Sequence, residues 1–119
     1  MPKEITKEVE EKISELQIIE QNLQQLLAQK QSIQIQQIET DSALEELKKE
    51  TTKEVYKIVG QILINSDKKE VEKDLNSKKE IFSLKIKNVE KQESKLRDRA
   101  KEIQKEVLES MEKKWLKKK

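Results

Sequence analysis

Val55-Tyr56-Lys57-Ile58-Val59-Gly60-Gln61-Ile62-Leu63-Ile64-Asn65 is the stretch whose reading decides the fold. It is β-branched, apolar, and holds the only glycine in the chain. β-Branched side chains are stiff at χ1 and favour strands over helix. Val55 to Val59 and Ile62 to Asn65 read as two short strands, and Gly60 supplies the permissive backbone between them. Along the first strand, Tyr56 and Ile58 face one side, while Val55, Lys57 and Val59 face the other. One short hairpin is not stable alone. It either folds back on the helices it joins or pairs with equivalent hairpins of other subunits in a closed barrel. The barrel removes its edges, and that reading is favoured.

Outward from this stretch, the sequence changes character on both sides. Toward the N-terminus a heptad runs from about Ile5 to Lys49, with Val9, Leu16, Leu23, Lys30, Gln37 and Leu44 at a. Its d positions are Ile5, Lys12, Ile19, Leu26, Ile33, Thr40 and Leu47, and Ile13 and Leu27 widen the apolar stripe. Thr51-Thr52 weaken the helix at its end. A second arm starts near Ser66-Asp67, residues suited to an N-cap, with Glu70 placed as in a capping box. It repeats Leu75, Phe82, Val89, Leu96, Ile103 and Ser110 at d, and Lys79, Ile86, Glu93, Ala100 and Val107 at a. The Gln-rich run from Gln17 to Gln37 is read as helix former. Pairs such as Glu8–Lys12 and Glu93–Arg97 have the favourable i,i+4 order.

The arms zip against each other as an antiparallel pair when facing residues have numbers summing to 119, as in Leu44 with Leu75, Ile33 with Ile86 and Leu16 with Ile103. This register leaves residues 48–70 as the connection, where the heptads themselves break. The expected architecture is mainly α, a long antiparallel two-helix coiled coil joined by a short β-hairpin that contributes to an intersubunit β-barrel. It is one domain: a helix over 1–50, the hairpin over 51–66 and a helix over 67–119. Lys30, Gln37, Thr40, Lys79 and Glu93 make polar layers in the seam, which specify register. Lys30 and Glu93, one layer apart, are alternatively an ion pair, a coupling that a double-mutant cycle measures.

Composition narrows the function. Of 119 residues, 33% are hydrophobic and 42% charged, too little apolar material for an ordinary globular core. A two-stranded coiled coil needs only two apolar positions in seven. The absence of Cys and His excludes thiolate or imidazole metal sites, disulfides and the usual nucleophile–base pairs. No catalytic residue, metal or cofactor is expected, and the chain is read as not an enzyme. No apolar run reaches the roughly 18 residues of a membrane span, and Met1-Pro2-Lys3-Glu4 opens no signal peptide, so a cytoplasmic protein is the expectation. Net charge is +2, with five Lys and one Glu in the last nine residues. The tail alone is basic enough to consider for nucleic acid or an anionic membrane surface. Neither partner is expected.

Glu54-Val55-Tyr56-Lys57-Ile58-Val59-Gly60, the apolar strand after it, the run Glu70 to Glu80 and Val89-Glu90-Lys91-Gln92-Glu93 resemble the beta class of the prefoldin family. The archaeal type is the nearer resemblance and the eukaryotic beta class a close second. A single hairpin fits this class, since the alpha class carries two. The resemblance implies a cytoplasmic hetero-hexamer of two alpha and four beta subunits. In it the hairpins (Val55, Tyr56, Ile58, Val59, Gly60, Ile62, Leu63 and Ile64 here) build a double β-barrel. It implies an ATP-independent chaperone, a holdase that captures unfolded proteins on its coiled-coil tips and passes them to a group II chaperonin.

With both termini at one end of the antiparallel pair, Ile5, Val9 and Ile13 come near Val107, Leu108, Met111, Trp115 and Leu116. This apolar surface, flanked by lysines, is the expected client-binding tip, Met and Trp being suited to promiscuous contact. The same residues are alternatively a cap on the coiled coil, or a frayed end. Removing residues 103–119 is expected to spare assembly and abolish client protection. The strongly basic end departs from the family pattern. A structural coiled-coil scaffold without chaperone activity is the rival reading, which explains the arms but not the β-element.

Overall fold

The computed structural model describes residues 6–118, with side chains described over 6–113. Helix α1 (Lys7–Lys49) is followed by strands β1 (Glu54–Val59) and β2 (Ile62–Asp67) and helix α2 (Lys68–Lys118). This is the helix–hairpin–helix order expected.

Helix α1 begins at Thr6, whose Oγ1 accepts the Val9 N–H at 3.2 Å. This N-cap satisfies one of the free amides of the first turn, and Glu8 and Glu10 suit its positive end. At the other end Glu50 N–H reaches back to the Leu47 carbonyl at 3.2 Å, tightening the last turn. The Lys68 ammonium donates to the Glu50 carbonyl at 2.6 Å, so a carbonyl that the helix leaves unpaired finds a donor from the start of α2. The Lys68 backbone N–H donates to the Lys53 carbonyl at 2.8 Å. The Thr52 hydroxyl lies 3.0 Å from Glu50 Oε1 and 3.1 Å from the Glu54 carbonyl. The base of the hairpin is therefore hydrogen-bonded on both sides.

β1 and β2 pair antiparallel from Glu54↔Asp67 to Val59↔Ile62. Each strand runs further toward the helices than the sequence suggested, because the ladder is made by backbone groups and tolerates Glu54, Ser66 and Asp67. Asp67 closes β2 and directly precedes α2, the position of an N-cap. Gly60 and Gln61 form the two-residue turn. Gly60 has φ of +63° and no non-glycine residue among the described residues has positive φ, the sign pattern of a type II′ hairpin turn.

The chain forms two compact units, Met1–Gln29 with Val89–Lys119, and Lys30–Asn88. In the first unit Val9, Ile19, Val89, Glu93 and Ile103 are buried, Ile103 completely. Two ion pairs join the helices: Lys12 Nζ to Glu106 Oε2 at 3.1 Å and Arg99 to Glu15 through two bonds of 3.0 and 3.3 Å. Rising numbers on α1 meet falling numbers on α2, so the pairing is antiparallel. In the second unit Ile33, Thr40 and Leu44 are buried, and Lys79 Nζ meets Asp41 Oδ1 at 3.2 Å. The partners' numbers sum to 118 and 114 in the first unit and 120 in the second, bracketing the register read from the sequence.

Every a and d position of α1 from Val9 to Leu47 is buried or half-buried, including Lys12, Lys30, Gln37 and Thr40. The Thr40 hydroxyl donates to the Gln36 carbonyl at 2.8 Å, the local solution for a buried hydroxyl in a helix. Lys79 is a correction to the seam. Its side chain is 54% exposed, because a long flexible stem carries the ammonium out to water and Asp41. Ile13 and Leu27 flank the seam and remain exposed.

Candidate functional site

Among the apolar side chains that the fold leaves uncovered, two groups fall on the residues expected to form the site. The first is the hairpin. The register places Tyr56, Ile58 and Leu63 on one face and Val55, Lys57, Val59, Ile62 and Ile64 on the other. Tyr56, Ile58 and Leu63 are 70%, 73% and 67% exposed. The second face is shielded unevenly: Val55 is half-buried, and Val59, Ile62 and Ile64 are exposed. Lys57, on this second face, reaches Asp74 Oδ2 of α2 at 3.7 Å. The hairpin thus leans its second face toward the first turns of α2 and leaves the Tyr56–Ile58–Leu63 face bare. Neither face is sealed by the helices that the hairpin joins. Both strands of this two-stranded sheet are also edges, with backbone N–H and C=O groups open to further pairing.

The second surface lies in the first unit. Leu108 and Met111 are exposed, and Ile13 is marginally so at 37%. Val9 is buried in the seam and Val107 half-buried, so these two side chains are spent on pairing the helices. Ile5 lies outside the described residues, as do the side chains of Trp115 and Leu116. Ile103 is fully buried. A truncation at that residue therefore removes core as well as surface, and substitutions at Leu108 and Met111 separate the two.

The electrostatics of the first unit are interhelical. Lys12, at a d position and only 20% exposed, donates to Glu106 and, at 3.4 Å, to Glu8. The hydrogen bond to Glu106 is the largest influence holding its pKa above the ordinary lysine range, with Glu8 adding to it and partial burial opposing. Arg99 is likewise raised, first by Glu15 and then by Glu102. Buried Glu93 has the Arg97 guanidinium one turn away at 3.6 Å. The Arg99–Glu15 bridge was not anticipated from the sequence. Both residues occupy g positions, which face each other in an antiparallel pair, and that spacing was the available signal. Among the described residues there is no cluster of three or more metal-ligating side chains, and no helix is long and apolar enough to cross a membrane.

An antiparallel helix pair that carries a two-stranded hairpin with uncovered faces defines a class of protein, the coiled-coil subunit whose β-element is left free for contact. Comparisons with known proteins agree. A family model described as Prefoldin subunit matches residues 10–114. The prefoldin subunit beta of Archaeoglobus fulgidus is 37% identical over 87% of this chain and 90% of its own length. That of Methanosarcina acetivorans is 32% identical over 93% and 96%. The crystal structure of the prefoldin beta subunit from Thermococcus strain KS-1 superposes with a TM-score of 0.85 at 27% identity, covering 92% of this chain and 97% of that one. The chain belongs to the prefoldin family, non-enzymatic molecular chaperones, and its similarity is to the beta subunits.

Proposed function

We propose that this chain is the beta-class subunit of a cytoplasmic hetero-hexamer of two alpha and four beta subunits, in which the hairpins close into a β-barrel. The assembly acts as an ATP-independent holdase that captures unfolded proteins and passes them to a group II chaperonin. The observation that carries the assembly half is the bare Tyr56–Ile58–Leu63 face on a sheet with two open edges. A lone hairpin of this kind is marginal in water, and pairing with equivalent strands covers its apolar side chains and satisfies its edges together. Exposed Leu108 and Met111 in the unit that holds both termini support the capture half. Each contact is small, and several subunits acting together gain avidity. A structural scaffold of helices alone gives the hairpin nothing to do.

The test uses the chain assembled with alpha subunits. Substituting Leu108 and Met111 together with Gln leaves the buried seam intact. The complex is expected to keep its mass by light scattering and to lose most of its suppression of client aggregation. Undiminished suppression moves client binding away from this surface. Loss of the complex gives these residues a structural role instead.

A further inference from the structure

The second unit carries aliphatic side chains where helix pairing has no use for them. Ile35 and Ile38 of α1 are 58% and 66% exposed. They take the f and b positions of the heptad, turned away from the a/d seam. At the same level the seam mixes buried Ile33 with two polar residues, Gln37 half-buried and Thr40 buried. Two isoleucines are therefore outside while two polar side chains take seam positions, an arrangement that pairing alone does not select. The surroundings are also unusual for the outer face of a coiled coil, which is normally laced with charge. From Gln31 to Ile38 there is no charged residue, and Gln31 and Gln34 are exposed beside the two isoleucines.

We propose that this uncharged outer strip of α1, centred on Ile35 and Ile38, is a second contact surface for extended, unfolded polypeptide. The proposal rests on the holdase reading above and extends it from the unit of the termini to the unit of the hairpin. Area argues against a folded partner or a second copy of the chain. Two aliphatic side chains offer on the order of 200 Å², against roughly 800 Å² per partner in a stable interface. Chemistry argues for an unfolded chain. Such a chain presents scattered apolar side chains together with backbone amides that lack partners. Each glutamine amide supplies two N–H donors and a carbonyl acceptor, so Gln31 and Gln34 can serve a backbone of any sequence beside the apolar pair. An absence of charge avoids selecting clients by their own charge. A strip of this size binds weakly alone and contributes through the number of copies in the assembly.

The experiment places a photo-crosslinking phenylalanine at position 38 or at position 111 of the chain in the full alpha–beta complex. The probe is a reduced, carboxymethylated polypeptide that cannot refold. Crosslinks to the probe at both positions are expected. The I35Q/I38Q variant is expected to bind the probe about five- to tenfold more weakly. It should keep its helix content and melting temperature, because both sites are exposed and Gln is a good helix former. Crosslinks at 111 with none at 38, or crosslinks from 38 only to other subunits, overturn this proposal and leave the holdase reading standing. Unchanged probe affinity in I35Q/I38Q overturns it as well. A complex that captures no probe at either position and suppresses no aggregation overturns the holdase reading, and this one with it.

Discussion

Lys12 shows how much a single seam residue depends on its neighbours across the helix pair. Read alone, a lysine at a d position is a defect in the apolar stripe. In the fold its stem lines the seam while its ammonium bonds Glu106 at 3.1 Å and Glu8 at 3.4 Å. Because Glu106 raises its pKa, the folded value lies above the unfolded one. The resulting stabilisation is complete below the ordinary lysine value of about 10.4 and is lost as pH rises through the higher folded value. Melting temperatures of the wild type and Lys12→Met, followed from pH 7 to 11, should differ by a constant amount up to about pH 10 and shift relative to each other only above it. A difference that changes between pH 7 and 9 would assign the effect to another group. The heptad made Lys12 legible as a seam position, but its partner was not, since Glu106 sits at g and only the register brings it near. Lys79 failed in the opposite sense. The pattern put it inside, and a flexible stem with Asp41 at 3.2 Å took it out.

At the scale of the element, the hairpin is the part most fully written in the sequence and least complete in the fold. β-Branched residues on both sides of a lone glycine fixed the two strands and the turn. The strand ends were not legible, because backbone pairing at Glu54↔Asp67 and Val55↔Ser66 is indifferent to the polar side chains that suggested a boundary. The turn depends on Gly60 through its backbone alone. With φ at +63° and nothing within 4 Å of where a Cβ would stand, substitution meets no clash and pays only the left-handed penalty. Gly60→Ala is expected to destabilise the hairpin by about 1 kcal/mol, and Gly60→Asn by less. Amide exchange across β1 and β2 measures this directly. An equal effect of the two substitutions would point to a steric cause that the open space around Gly60 does not support.

At the scale of the whole molecule, helix pairing is secured within each unit by its own buried residues and ion pairs, while the Tyr56–Ile58–Leu63 face of the hairpin is left exposed among the described residues. Ile58, 73% exposed, contributes nothing to the intramolecular core, so Ile58→Glu should leave helix content by circular dichroism unchanged and abolish assembly with alpha subunits by light scattering. Loss of helicity in this variant would mean that the hairpin supports the helix pair directly. The sequence by itself determined the helix–hairpin–helix order, the antiparallel register and the seam, since these follow from short-range periodicity repeated over many residues. Only the tertiary structure decided which apolar side chains remain bare. Val9 and Leu108 are both expected from the sequence to be tip surface, yet Val9 is buried and Leu108 exposed. Exposure depends on which side of a paired helix a residue presents and on what the rest of the chain has left over to cover it.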